Sequence, residues 1–132
     1  MIAVLTGPVR SGKTSFLIRA VSRWRELDRR VTGYLSRSVE SVRGTEYVLL
    51  DLESGREFPF LTRAVITGAE HVGPYSFIPE TLDMARSIIS SAGPGEVLIV
   101  DEAGPLELAG GGVSAALEAV LADPDRKVLV SV

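Results

Sequence analysis

A phosphate-loop pattern near the amino terminus constrains the fold more than any other feature: residues 7–14 read Gly-Pro-Val-Arg-Ser-Gly-Lys-Thr. The pattern G-x-x-x-x-G-K-[ST] binds phosphate because its backbone N–H groups converge on phosphate oxygens at the start of a helix. The flanking sequence suits this role. Residues 2–6 form an apolar run that predicts a fully buried strand, and apolar residues at helical spacing between 13 and about 28 predict a helix.

The residues of this loop have distinct predicted roles. Gly7 and Gly12 permit backbone angles, and a close approach to phosphate, that a β-carbon would obstruct. Lys13 would reach the β- and γ-phosphates of a nucleoside triphosphate, and the Thr14 hydroxyl would bind Mg²⁺. The set predicted to wrap the phosphates is Gly7, Pro8, Val9, Arg10, Ser11, Gly12, Lys13, Thr14 and Ser15. For Arg10, a contact with substrate and a solvent-facing position are both open.

Candidate strands and helices alternate along the rest of the chain. They are strands at 31–36, 97–100 and 128–132 and helices at 80–92 and 113–121. Segments 47–52 and 57–61 flank a Glu-Ser-Gly-Arg turn and predict an antiparallel hairpin, whereas residues 62–76 are expected to be loop with a short strand. This order predicts one α/β domain with the P-loop NTPase fold over residues 1–132, a three-layer α/β/α arrangement with a mostly parallel sheet and the added hairpin.

Two carboxylates, Asp101 and Glu102, follow the apolar segment 97–100. Ligands of α/β sheets bind beyond the carboxyl ends of the strands, so this pair is expected to face the phosphate loop. Asp101 is predicted to hold Mg²⁺, directly or through water, and Glu102 to orient or deprotonate an attacking water. An acidic pair can also simply end a strand at the surface, but its combination with the phosphate loop favours the functional interpretation. A base beside the metal ligand favours water as the acceptor, and hence a hydrolase over a kinase.

Composition excludes several other classes of protein. The chain has 132 residues, a net charge of −3 and no cysteine, which indicates one domain without disulfides or thiolate metal sites. It contains neither a long apolar run nor a secretory signal, so we expect a cytoplasmic protein without a membrane partner. The acidic balance argues against nucleic acid as a partner. The arginines of the first predicted helix are interrupted by Glu26 and Asp28, which favours a solvated face.

The stretch Val100–Leu108 reads Val-Asp-Glu-Ala-Gly-Pro-Leu-Glu-Leu. With the phosphate loop, it resembles the nucleoside-triphosphatase family first described from thermophiles, which shows Asp-Glu-x-Gly-x-Met/Leu-Glu-Leu here and whose relatives include the human cancer-related nucleoside-triphosphatase. The resemblance covers essentially the whole chain, including segments 32–34, 51–55 and 71–75. It implies magnesium-dependent hydrolysis of ATP, GTP and other nucleoside triphosphates to diphosphate and phosphate, with loose base selectivity.

The chain departs from that family at two points. His71 stands where the family commonly has arginine, so a phosphate-facing cation there would be weaker or pH-dependent. Family members also continue beyond the position of Val132, with further strands and a helix. Ser131 stands at the position of a threonine in the family's last shared segment. We therefore expect the domain to lack the family's C-terminal segment. Three explanations are open: a truncated chain, a shortened gene product, or a second copy or other partner that completes the fold on that side.

Several further residues carry two interpretations each. Glu107 is typical either of a residue that positions the loop or of a carboxylate at the start of a helix. Residues 110–112 are more typical of a connection or the start of a helix than of a segment that closes over the phosphate. An arginine finger would stabilise the charge of the transferring phosphoryl group. Its candidates are Arg37, Arg43, Arg56 and Arg63, with Arg63 and His71 ranked first because they lie in the irregular stretch.

Two other functions remain open from the sequence. The same loop serves kinases of small molecules or nucleic acids, which transfer phosphate to a hydroxyl group instead of releasing it. A nucleotide-dependent binding or switch module with little turnover would also need the loop and the magnesium ligands. Phosphate release without an added acceptor distinguishes the hydrolase from both.

Overall fold

The computed structural model describes residues 1–7, 12–101 and 110–132. Its helices and strands, in chain order, are β1 (Ile2–Leu5), α1 (Lys13–Glu26), β2 (Val31–Ser41), β3 (Gly44–Asp51), β4 (Glu57–Thr62), β5 (His71–Val72), β6 (Tyr75–Phe77), α2 (Pro79–Ser91), β7 (Val97–Asp101), α3 (Ser114–Leu121) and β8 (Lys127–Ser131). None of the helices in these ranges is both long enough and apolar enough to span a lipid bilayer.

The eight strands form one sheet in the order β1-β8-β7-β2-β3-β4-β6-β5. The pairs β1–β8, β8–β7 and β7–β2 are parallel, and the remaining pairs are antiparallel. The expectation of a mostly parallel sheet is therefore wrong, because the sheet is mixed. The reason is that β2 runs on to Ser41, well past the predicted end at 36, and pairs with β3 from Tyr34 to Ser41. The antiparallel part then continues through β4 to β6 and β5.

β1 lies at an edge of the described sheet. Its side chains Ile2 and Val4 are 45% and 59% exposed, so the predicted full burial of this strand is wrong. A short apolar run predicts a strand but does not specify how many neighbours the strand has. Here β1 pairs with β8, from Ile2 opposite Val128 to Leu5 opposite Ser131.

Alternate residues of β7 enter two separate apolar clusters, as the two-residue period of a strand requires. Val97 and Ile99 pack in one cluster with α1, through Leu17 and Val21. Leu98 and Val100 pack in the other cluster, and α2 and α3 cover that cluster with Leu82, Ala85, Ile89, Leu117 and Val120. Apolar side chains therefore pack against both faces of β7, the strand that ends at Asp101.

Gly33 allows β2 to approach β7 closely. Its φ is +112°, and a β-carbon on it would lie 1.9 Å from the carbonyl oxygen of Ile99, its partner in the parallel register. No larger residue fits that space without moving one of the two strands. Close pairing here brings the segment after Tyr34 beside the end of β7.

Candidate active site

Thr14 and Asp101 meet at the carboxyl end of the parallel strands. Thr14 is the second residue of α1, Asp101 is the last residue of β7, and the Thr14 hydroxyl donates to Asp101 Oδ2 over 3.0 Å. The carboxylate is 1% exposed, so this contact lies within the protein. The structure thus brings together the two residues that the sequence predicted as magnesium ligands.

Ser36 is a third member of this site and was not identified from the sequence. Its backbone N–H donates to Asp101 Oδ2 over 3.2 Å, and its hydroxyl donates to the backbone oxygen of Asp101 over 2.8 Å. Ser36 lies two residues beyond Tyr34, which pairs with Val100, so its contact with Asp101 follows from the parallel register. That register could not be read from the chain, because the β2–β7 pairing joins strands far apart in sequence.

Lys13 lies between the ends of β1 and β8. Its ammonium group donates to the backbone oxygen of Gly7 over 3.0 Å and to that of Val132 over 2.8 Å. Gly12, directly before α1, has a φ of +88°, a left-handed conformation that favours glycine, as predicted from the loop pattern. Ser15 is exposed in the first turn of α1.

Several residues of the predicted site lie outside the described residues. They are Pro8, Val9, Arg10 and Ser11 of the phosphate loop, the predicted base Glu102, and Glu107. The described site therefore consists of Gly7, Gly12, the lysine, and the cluster of Thr14, Ser36 and Asp101.

The sequence profile of the NTPase family matches residues 2–132. The chain belongs to this family. Two solved structures are similar to it. One, the crystal structure of THEP1 from the hyperthermophile Aquifex aeolicus, is 23% identical, with a TM-score of 0.76 over 99% of this chain and 76% of that one. The other, the solution structure of a human cancer-related nucleoside triphosphatase, is 25% identical, with a TM-score of 0.76 over 98% of this chain and 74% of that one.

No curated protein matches the sequence. The fold of this NTPase-family chain is the α/β fold of the P-loop NTPases, and family membership supports nucleoside triphosphatase activity in general. The family name also makes a nucleoside triphosphate the expected substrate.

The oxygen atoms at the site suit magnesium in this NTPase. Mg²⁺ is usually held by one or two carboxylates together with waters and substrate phosphates, so a dense cluster of protein ligands is not required. The described residues contain no group of three acidic, histidine or cysteine side chains that could hold a metal. Asp101 provides one carboxylate and Thr14 one hydroxyl.

Ser131 gives a second reason to expect a ligand here. It is 0% exposed, and its hydroxyl has no hydrogen-bond partner within the described residues. The strand register places it beside Asp101 on β7 and beside Leu5 on β1. A buried hydroxyl without a partner is uncommon and often marks a bound water or ion. The donor set therefore fits a hydrated magnesium ion.

The arginine-finger candidates all contact neighbours in the antiparallel part of the sheet. Arg37 forms an ion pair with Glu57 at 2.6 Å, and Arg43 forms one with Glu46 at 3.1 Å. The latter contact helps to hold the pKa of Glu46 at about 2, below its usual 4.5, and hydrogen bonds from Thr62 and from the Arg63 backbone add to it.

The two candidates ranked first also lie on the antiparallel side of the sheet, at or next to its strands. Arg63 donates to the backbone oxygen of Thr45 over 3.1 Å and lies 5.0 Å from the centre of the Tyr75 ring. His71 belongs to β5 and pairs with Ser76 of β6, at the edge of the sheet opposite β1. The remaining candidate, Arg56, lies 5.3 Å from the centre of the Phe58 ring.

Proposed function

We propose that this chain is a magnesium-dependent nucleoside-triphosphatase that hydrolyses ATP, GTP and other nucleoside triphosphates to diphosphate and phosphate. The observation that carries the proposal is the 3.0 Å contact between Thr14 and Asp101. Thr14 directly follows the loop lysine, and the buried Asp101 directly precedes Glu102. Their contact lies at the carboxyl end of the parallel strands, where P-loop proteins bind the metal ion and the phosphates.

The phosphate-binding roles are proposed from the loop pattern and from the start of α1 at Lys13. Residues 7–15 would wrap the β- and γ-phosphates with backbone N–H groups at the start of α1. Lys13 now donates to two backbone oxygens, and a bound triphosphate would replace one or both with phosphate oxygens. Bound Mg²⁺ would neutralise charge on the β- and γ-phosphates, held by Thr14 and Asp101.

Glu102 is the proposed base for hydrolysis. It follows Asp101 directly and would orient a water molecule towards the γ-phosphorus and accept its proton. The water oxygen forms the new bond to phosphorus, the bond from phosphorus to the β–γ bridging oxygen breaks, and nucleoside diphosphate leaves with the electron pair. Positioning and charge stabilisation would supply most of the rate acceleration.

The test is phosphate release from ATP and GTP by the purified chain, with and without Mg²⁺ and without any hydroxyl acceptor. We expect release that stops when the metal is chelated. Transfer of labelled phosphate to an added hydroxyl compound would instead identify a kinase. Tight nucleotide binding without release, even in a single turnover, would identify a binding or switch module.

A further inference from the structure

The backbone of Ser36 lies beside both residues of the proposed magnesium site. Its N–H group donates to Asp101 Oδ2 over 3.2 Å, and its carbonyl oxygen is 3.4 Å from the Thr14 hydroxyl oxygen. That carbonyl belongs to the peptide bond that joins Ser36 to Arg37. By standard bond lengths, the Cα atom of Arg37 therefore lies within about 6 Å of the Thr14 hydroxyl. The strand β2 thus brings an arginine next to the site.

The side chain of Arg37 projects from the face of the sheet that α1 covers. Successive residues of a strand point to opposite faces. Tyr34 packs in the cluster that α2 and α3 cover, whereas Leu35 packs in the cluster with α1. Arg37 lies two residues after Leu35, so it shares the α1 face, where Lys13 begins the helix. Arg37 and the donors proposed to bind phosphate are therefore on the same side of the sheet.

A γ-phosphate at this site would lie within reach of the Arg37 guanidinium group. Mg²⁺ held by Thr14 and Asp101 would bridge the β- and γ-phosphates, and oxygen ligands of one Mg²⁺ lie about 3 Å apart. An extended arginine side chain spans about 6 Å from Cα to Cζ, since its bonds are about 1.5 Å long. Rotation of the Arg37 side chain can therefore bring the guanidinium group to a γ-phosphate oxygen beside Thr14 without movement of β2.

The other candidate cations lie farther from the site along the sheet. β2 continues about 16 Å past the site, at about 3.3 Å per residue, before the turn that contains Arg43. Arg56 and Arg63 flank β4, which is two strands away from β2, and His71 lies in β5 at the edge of the sheet. Of these candidates, Arg37 is the one that adjoins the magnesium site both in sequence and in space.

Glu57 holds the Arg37 guanidinium group on the side away from β7. Arg37 Nε and Nη2 both donate to Glu57 Oε2, over 3.1 and 2.6 Å, and Glu57 is the first residue of β4. β4 lies beyond β3, so this contact directs the side chain away from Asp101. The two side chains are 47% and 40% exposed, and ion pairs at such sites are weak. A bound triphosphate, which carries more negative charge than one carboxylate, can therefore displace Glu57.

We propose that Arg37 contacts the γ-phosphate during hydrolysis and that Glu57 holds it away from the site until a triphosphate binds. This inference rests on the proposed function, and it leaves the bonds that form and break in that reaction unchanged. Arg37 would stabilise the negative charge on the γ-phosphate oxygens in the transition state, which is the role of an arginine finger. Its planar guanidinium group suits this role because two N–H groups can bind two phosphate oxygens together.

The first test measures single-turnover hydrolysis of ATP and, separately, the affinity for ADP. Arg37→Ala should lower the hydrolysis rate about 10³-fold, the lower end of the range for an arginine finger. Affinity for ADP should be unchanged, because ADP lacks the γ-phosphate. Arg37→Lys should remain low, since an ammonium group lacks the planar fork. Both variants should fold, because the side chain is half-exposed. Arg56→Ala is the matched control: it removes an exposed arginine that contacts the Phe58 ring, and it should keep the wild-type rate.

The second test asks whether Glu57 restrains Arg37. Glu57→Gln keeps the size of the side chain and removes its charge, so ATP should bind severalfold more tightly once a weak exposed ion pair no longer competes for the arginine. In an Arg37→Ala background the same substitution should have no effect on ATP affinity. Glu40→Gln is the control for net charge, because Glu40 is an exposed carboxylate that accepts from the Thr45 hydroxyl and pairs with no arginine among the described residues.

The results that contradict this inference differ from those that contradict the proposed function. A wild-type hydrolysis rate in Arg37→Ala, or an equal loss in Arg56→Ala, would overturn the role of Arg37 and leave the proposed function intact. ATP binding in Glu57→Gln that is no tighter than in Glu40→Gln would overturn the restraint by Glu57. If wild type released no phosphate, the proposed function itself would fail, and this inference with it.

Discussion

The Thr14 hydroxyl and the Asp101 carboxylate, 87 positions apart in the chain, are 3.0 Å apart in the fold. Two parallel strand pairs, β1–β8 and β8–β7, bring them together, since β1 precedes the phosphate loop and α1 while β7 ends two strands away. Two oxygen atoms this close together could both be ligands of one Mg²⁺ ion. The contact therefore makes metal binding the most direct property to measure.

Asp101→Asn and Thr14→Ala should each weaken binding of the metal–nucleotide complex. The amide of asparagine retains one acceptor oxygen but loses the negative charge that attracts a divalent ion. We expect at least a tenfold higher metal concentration for half-maximal hydrolysis, and a similar loss in Mn²⁺ affinity measured by calorimetry. Thr45→Ala is the control, because it removes a hydroxyl on β3 that donates to Glu40 on β2, in the antiparallel part of the sheet. Unchanged Mn²⁺ affinity in both site variants would contradict the assignment.

Ser131→Ala should affect ligand binding and stability differently. Removing a buried hydroxyl that lacks a partner among the described residues should leave the free energy of unfolding unchanged or raise it slightly. Ser76→Ala, which removes a buried hydroxyl that accepts from Ile66 N–H, should lower it by about 1 kcal/mol. With Mg²⁺ and nucleotide present, only Ser131→Ala should weaken binding. Equal nucleotide affinity in wild type and Ser131→Ala would show that the hydroxyl does not face the ligand.

Local patterns predicted the elements well and the sheet less well. Helix α1 runs from Lys13 to Glu26, where 13–28 was expected, and β7 and β8 lie within one residue of their predicted bounds. Helices and strands of this kind are determined by the periodicity of apolar residues and by the residues that begin or end a helix. Both signals extend over only a few positions of the sequence, so they can be read from it. The exposure of β1 and the length of β2 depend instead on which strands become neighbours, and no local pattern contains that information.

The same distinction applies to the site. The phosphate loop and the acidic pair are contiguous motifs, so the chain alone predicts a chemistry for them. Ser36 is an isolated polar residue whose partner, Asp101, lies 65 positions away in the chain. Only the fold brings the two together. The one sequence signal for the contact between Ser36 and Asp101 is Gly33, because a glycine permits two strands to pair closely.

Gly33→Ala should destabilise the fold strongly. Its β-carbon would overlap the Ile99 carbonyl at 1.9 Å, and the positive φ adds strain. We expect a loss of about 3 kcal/mol or more in urea unfolding, at the upper end of single substitutions. Gly55→Ala is the matched control, because it shares a positive φ but has open space around the β-carbon, and should lose only about 1 kcal/mol. Similar losses in the two variants would mean that β2 and β7 are less closely paired.

Protonation of Glu46 should make the free energy of unfolding depend on pH. Hydrogen bonds from Arg43, Thr62 and the Arg63 backbone lower its pKa from 4.5 to about 2 in the folded protein. The folded state therefore favours the ionised carboxylate, so this contribution to stability is full above pH 4.5 and is lost as pH falls towards 2. Urea unfolding at several pH values should show a smaller loss over this range in Glu46→Gln than in wild type. Glu26→Gln, in an exposed ion pair with Arg23, should retain the wild-type pH dependence.

Glu102→Gln and Lys13→Ala should separate catalysis from binding. Glutamine at 102 keeps the size of the side chain but cannot accept a proton, so hydrolysis should fall by a factor of about 10² while triphosphate affinity stays near wild type. Lys13→Ala removes the ammonium group that would meet the phosphates, so both affinity and turnover should fall. Fluorescent-nucleotide binding and single-turnover hydrolysis measure the two effects, with Glu118→Gln on α3 as the control. If Glu102→Gln hydrolysed like wild type, another group would have to activate the water.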